Sequence, residues 1–162
     1  MGKIGLEFKA CLENVKSLRC CGKDFRWFLK FRCNNCGEVT ANWQYVTEDM
    51  SADLKGGRGQ ANMVEKCKMC SRENSISILE DRVQPYTFED DLKSKVIVVF
   101  DCRGLEPVDF DLRSGWEVES NSSTKTFSDV DLKDKDWFDY DEIGSETIGI
   151  TELTFKFVKL KK

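Results

Sequence analysis

Two Cys-x-x-Cys pairs, Cys33/Cys36 and Cys67/Cys70, sit in a 162-residue chain that contains no histidine. Four thiolates at this spacing suit a tetrahedral metal ion, and the commonest alternative ligand is missing. A closed shell of cysteines is the arrangement expected of structural zinc, here one ion per chain. Such a site constrains folding strongly, because two short loops separated by 30 residues must meet at one point. The alternatives are unrelated reduced thiols or a redox Cys-x-x-Cys, and two pairs in a histidine-free chain favour the metal over both. Iron in a rubredoxin-like centre is the rival ion, against which the long gap argues. The missing histidine also excludes Cys-His and Ser-His nucleophilic catalysis.

The remainder of the chain reads as β-structure. Phe25, Trp27, Leu29, Phe31 and Cys33 alternate with mostly basic residues, which predicts a strand with one buried face that ends on Cys33. Ile4, Leu6, Phe8 and Ala10 predict a first strand, Ile76 and Ile78 another, and Val108, Phe110 and Leu112 a further one. The unbroken apolar run Val96–Phe100 suits a strand covered on both faces. Near the C-terminus the inward phase moves from Ile148 and Ile150 to Leu153, Phe155 and Phe157, which predicts a β-bulge near Thr151-Glu152. No stretch carries a sustained helical period. The expected fold is all-β, in two barrel- or sandwich-like units. Residues 1–82 form an N-terminal unit stapled by zinc and residues 83–162 an acidic C-terminal unit, or the two pack as one continuous domain.

Charge separates along the same division: residues 1–80 carry a net +3 and residues 81–162 a net −7. The cations Lys30, Arg32, Lys66, Lys68 and Arg72 flank the four cysteines and can offset a zinc tetrathiolate's charge of −2. An acidic chain argues against nucleic acid as partner. No apolar run approaches the roughly 18 residues that would cross a bilayer, and the N-terminus lacks the pattern of a secretory signal. Eight cysteines without such a signal predict a reducing, cytoplasmic setting. Cys11 and Cys102 are expected to be small buried residues, and Cys20-Cys21 two free thiols in a loop. Gly56-Gly57-Arg58-Gly59 reads as a hairpin connection, with an anion-binding nest as the alternative. Asp134–Glu142 interleaves carboxylates with Trp137, Phe138 and Tyr140, as a solvated edge or a protein-recognition surface does.

Taken together, several of these stretches resemble the eukaryotic CXXC-motif-containing zinc-binding proteins. The resemblance rests on Met1-Gly-Lys-Ile, Asp24-Phe-Arg-Trp27, the Cys33/Cys36 knuckle with Gly37, and Trp43-Gln-Tyr45. It continues through Lys55-Gly-Gly-Arg-Gly59, Cys67/Cys70, Arg72-Glu-Asn-Ser75, the Cys102–Phe110 motif, Asp136-Trp137 and Asp139-Tyr-Asp-Glu142. It implies an almost wholly β protein with zinc in the first of two units, and ligands at Cys33, Cys36, Cys67 and Cys70. It brings no enzymatic activity with it. Cys20-Cys21 and the tail Lys159-Leu-Lys-Lys162 stand outside the family pattern.

The functional expectation is a protein-interaction module with a structural metal and an unidentified protein partner; self-association into a homo-oligomer stays open. Two other readings are carried forward. One is a thiol redox enzyme resembling the zinc-containing methionine sulfoxide reductases, with Cys102 as nucleophile, its pKa lowered by Arg103. The other is a metal-handling protein, which requires exchangeable zinc.

Overall fold

Period-2 alternation becomes strand almost everywhere in the computed structural model, which describes residues 2–54 and 59–160. In chain order the strands are β1 (Gly2–Glu13), β2 (Val15–Cys20), β3 (Trp27–Cys33), β4 (Gln44–Val46), β5 (Ala52–Asp53), β6 (Gln60–Ala61), β7 (Met63–Lys66) and β8 (Glu73–Ile78). They continue as β9 (Tyr86–Thr87), β10 (Lys95–Arg103), β11 (Leu105–Asp111), β12 (Trp116–Ser120), β13 (Thr126–Val130), β14 (Trp137–Asp141) and β15 (Glu146–Leu160). Among the described residues the only helical pieces are two single 3-10 turns, so the protein is all-β. No helix among them is long and apolar enough to cross a membrane. The Gly56–Arg58 part of the glycine loop lies outside the described residues.

A six-stranded sheet runs in the order β14-β15-β1-β10-β8-β7, a three-stranded one as β11-β3-β4, and a four-stranded one as β13-β12-β2-β9. In each of these, strands from before and after residue 82 lie side by side. The inner faces meet in one apolar core. Trp27 stacks edge-on against Phe25, Phe100 and Trp116, with ring centroids 4.8, 6.2 and 5.8 Å apart. The indole N–H of Trp27 is buried without a hydrogen-bond acceptor. It is surrounded by aromatic faces, and a ring face is a weak acceptor for such a donor. Strand β3 behaves as its alternation requires: Trp27, Leu29, Phe31 and Cys33 are all buried and Arg32 is exposed. Val98, Val99 and Phe100 of β10 are fully buried, as expected of a strand covered on both faces.

The bulge near Thr151-Glu152 is present. Lys9 pairs with Thr154 and Cys11 with Thr151, so β15 carries one extra residue over that interval, and Glu152 has φ 54°. Ile148 and Ile150 before the bulge and Leu153 after it are all buried. A second bulge was not foreseen. β11 pairs Pro107 with Phe31 and Asp109 with Lys30, which leaves Val108 as the extra residue. Val108 is therefore exposed, whereas Phe110 and Leu112 point into the core. The expected alternation from Val108 to Leu112 is corrected at its first residue, because a bulge turns one side chain outward without leaving a polarity signal when that side chain is apolar.

Strand β1 outruns its neighbour: β10 pairs with it only as far as Phe8. Beyond that point the loop carrying Tyr86 and Asp91 takes over. The Ala10 N–H donates to the Tyr86 hydroxyl (3.1 Å), the Leu12 N–H donates to Asp91 Oδ1 (2.8 Å), and the Leu92 N–H donates to the Ala10 carbonyl (2.9 Å).

Candidate metal centre

The two knuckles are built alike. In the first, the Cys33 N–H donates to the Glu38 carbonyl (2.9 Å) and the Gly37 N–H to the Cys33 carbonyl (2.8 Å). In the second, the Cys67 N–H donates to the Arg72 carbonyl (2.8 Å) and the Ser71 N–H to the Cys67 carbonyl (2.9 Å). The residue four beyond the first cysteine has a positive φ in both, 80° at Gly37 and 64° at Ser71. Glycine takes that conformation freely and serine does not. The first knuckle closes β3 and the second joins β7 to β8, so the cysteines arrive from two different sheets.

Those ends meet. The Sγ atoms of Cys33, Cys36, Cys67 and Cys70 all lie within 4.8 Å of one another, with Cys33 to Cys70 at 3.7 Å and Cys36 to Cys67 at 3.6 Å. Four sulfurs at about 2.3 Å from a tetrahedral zinc ion stand about 3.8 Å apart, so the cluster has the dimensions of a zinc cage. Its chemistry agrees. The Cys36 N–H chiefly lowers the Cys33 thiol. The Asn35 side chain and the Arg72 N–H lower Cys70. At Cys36 the Glu38 N–H favours the thiolate, yet local desolvation and the three neighbouring sulfurs together push the thiol up to about 12. Four anions this close repel one another, and a divalent cation removes the reason for any of them to keep a proton.

Sequence reasoning did not single out the residues that support the cage. Asn74 is buried, with its amide 3.5 Å from Cys33 Sγ on one side and facing the carbonyls of Gly104 and Glu73 at 3.0 and 3.2 Å on the other. An amide nitrogen directed at the two carbonyls makes two ordinary hydrogen bonds in place of one long contact to sulfur. That orientation leaves backbone N–H groups as the main stabilisers of the Cys33 thiolate. Asn74 shares the inward phase of Ile76 and Ile78, so a polar residue on a buried face was the available signal. Gly104 accepts the Asn34 N–H at 2.9 Å, has φ 78°, and faces Asn74 so closely that a Cβ there would collide with its side-chain amide. The Cys102–Phe110 motif thus buttresses the first knuckle. A cleft of about 240 Å³ beside the cluster, lined by Phe31, Val39, Met69 and Leu105 among others, separates β4 from β7. The Gln44 amide spans it to Glu65 at 2.9 Å.

The remaining thiols stay outside the cluster. Cys102 is buried, and its burial, with Asp101 and Glu106 nearby, pushes its pKa up to about 12. The expectation that Arg103 lowers it is corrected, because Arg103 is exposed while the thiol points into the core. Cys20 ends β2, where burial raises it to about 11, and Cys21 is raised mainly by burial as well. Cys11 is half-buried within β1 and does not end it.

The acidic-aromatic segment forms β14, an edge of the six-stranded sheet. One of its carboxylates is not solvated: Asp141 is fully buried. It accepts hydrogen bonds from the Ser120 and Ser123 hydroxyls and the N–H groups of Gly144 and Ile143, which hold it at about 2.

Comparison with known proteins places this geometry among relatives. Residues 5–158 match the family described as CXXC motif containing zinc binding protein, eukaryotic. The chain is 56 % identical over 159 residues to the CXXC motif containing zinc binding protein of Bos taurus, covering 98 % of this chain and 99 % of that one. The identity to the protein of the same description from Homo sapiens is 55 %, with the same coverage. The crystal structure of C1orf123 superposes with a TM-score of 0.94 at 54 % identity, covering 98 % of this chain and all of that one.

Proposed function

This chain belongs to the eukaryotic family of CXXC motif containing zinc binding proteins, and from that premise we propose that Cys33, Cys36, Cys67 and Cys70 hold its one zinc ion as a structural crosslink in a protein-interaction module. The observation that carries the proposal is the convergence of four sulfurs from two sheets within 4.8 Å. A metal there joins the end of β3 to the β7–β8 hairpin across the cleft that separates their sheets. Four thiolates fill the tetrahedral shell and leave no position for a substrate or an activated water. Eight cysteines, four gathered in one ligand set and none in a disulfide, support a reducing, cytoplasmic setting. The acidic balance supports a protein over a nucleic acid as partner.

Zinc content and thermal melting of the Cys67→Ser protein test the assignment. The expected result is loss of the stoichiometric zinc and a melting temperature lower by several degrees. A full equivalent of zinc with unchanged melting would refute it. Specific capture of a protein partner from a cytosolic extract tests the interaction role, and absence of any such partner for the zinc-loaded protein counts against it.

One observation favours a metal-handling role as the second reading: Cys36 is exposed, so a competing ligand can reach the ion from solvent. Chelator competition on the folded protein separates the two. Exchange without unfolding supports handling, and loss of metal only on unfolding supports the crosslink.

A further inference from the structure

Strand β14 is an outer edge of the six-stranded sheet and carries Phe138, 66 % exposed, and Tyr140, 48 % exposed. We propose that this edge is the docking surface for an arginine-rich segment of a partner protein. The inference rests on the reading of the molecule as an interaction module and specifies the surface and the chemistry of its partner.

Phe138 is held in place while exposed. Its ring lies over Gly149 of β15, where a Cβ would approach Phe138 Cδ1 to 2.8 Å. Glycine inside a strand weakens it, and here its absence of a side chain makes the seat for the ring. Ile143, 67 % exposed, adds a third large apolar side chain within six residues. Scattered single apolar residues on a surface need no explanation, whereas a fixed cluster indicates contact.

Charge complementarity identifies the occupant. Asp134, Asp136 and Glu142 flank the ring-bearing strand in sequence, Asp139 lies between the rings on the opposite face of β14, and among the described residues no ion pair reaches any of the four. Three rings elsewhere are covered by the molecule's own cations. Arg26 lies 4.6 Å from the centroid of Tyr45, Lys30 4.8 Å from Trp43, and Arg113 3.7 Å from Phe28. Among the described residues no lysine or arginine covers Phe138 or Tyr140, and nearby Lys135 is turned over Phe155 instead. Two exposed rings in an acidic stretch that makes no ion pair among the described residues suit guanidinium groups, which stack on aromatic faces and bond carboxylates in one plane. The Tyr140 N–H is already accepted by Asp139 Oδ1 at 2.7 Å. Recognition therefore runs through side chains, since an added strand would have to displace that bond.

The test uses the zinc-loaded, full-length protein titrated with a synthetic peptide of alternating arginine and serine. Binding is expected that weakens as salt rises and falls about tenfold in the F138A/Y140A double variant, whose zinc content and melting are checked first. The lysine version of the peptide is expected to bind more weakly. An E80Q/D81N variant, which removes two exposed charges elsewhere, controls for net charge and is expected to bind as wild type does. Equal binding by F138A/Y140A overturns the proposal, as does an equal loss in E80Q/D81N. A wild-type dimer that F138A/Y140A dissociates in sedimentation also overturns it, because the occupant is then a second copy. Extract partners retained by F138A/Y140A would remove this surface and keep the interaction reading; the absence of partners for either protein would remove that reading itself.

Discussion

At Ser71 a serine occupies a backbone conformation that its counterpart in the other knuckle, Gly37, takes without strain. The left-handed region costs a residue with a Cβ about 1–2 kcal/mol, part of which glycine gives back as entropy in the unfolded chain. Ser71→Gly is therefore expected to stabilise the protein by about 0.5–1 kcal/mol in chemical denaturation, with zinc stoichiometry unchanged. Gly104→Ala should act in the opposite direction. The added methyl meets Asn74 at a positive φ, and the turn that accepts the Asn34 N–H must move. A loss of about 2–3 kcal/mol is expected, together with weaker zinc retention against a chelator. Wild-type stability in Gly104→Ala would show that the buttress is dispensable. The four cysteines could be read from spacing, because ligand chemistry is written in residue type. Asn74 left only its polar character on an inward phase as a signal and Gly104 none of its role, because each acts through a neighbour distant in the chain.

Among the elements, β1 shows how a strand too long for its partner is satisfied. Past Phe8 its outer hydrogen-bonding groups turn to a loop, with the Tyr86 hydroxyl at the centre, accepting from Ala10 and 2.6 Å from the Lys93 carbonyl. Tyr86 is fully buried, so Tyr86→Phe leaves a donor and carbonyls without partners and solvent cannot replace them. The expected cost is about 1–3 kcal/mol, with faster amide exchange at Ala10 as the local readout. Exchange at Ala10 equal to wild type would show that another group fills the role. Strand positions and the bulge at Thr151-Glu152 were legible because burial alternates with period two and a slip in that alternation appears in the residue types. The bulge at Val108 was not, because its outward residue is apolar and imitates an inward one.

For the whole molecule, the zinc cage lies where two sheets face each other across an open cleft. Besides the cage, the Gln44 amide bonded to Glu65 crosses that gap. Removing zinc with a chelator is therefore expected to raise hydrogen exchange in β4, β7 and the β7–β8 connection first. The long β1–β15 ladder and the Trp27–Trp116 core should stay protected, because their contacts do not pass through the metal. Uniform loss of protection throughout would instead make the metal a condition of the entire fold. The sequence alone determined that the chain is β-structured, that four of its eight cysteines have the spacing of a ligand set, and that a bulge interrupts the last strand. Each of these depends on residue type and spacing, which are local. Only the tertiary structure decided that strands from before and after residue 82 lie side by side, that the Cys102 thiol, expected to be buried, is pushed up to about 12 despite the neighbouring Arg103, and that Phe138 stands uncovered on an acidic edge. Those outcomes depend on which segments come to lie side by side, and pairing between distant strands is set by the packing of the whole core.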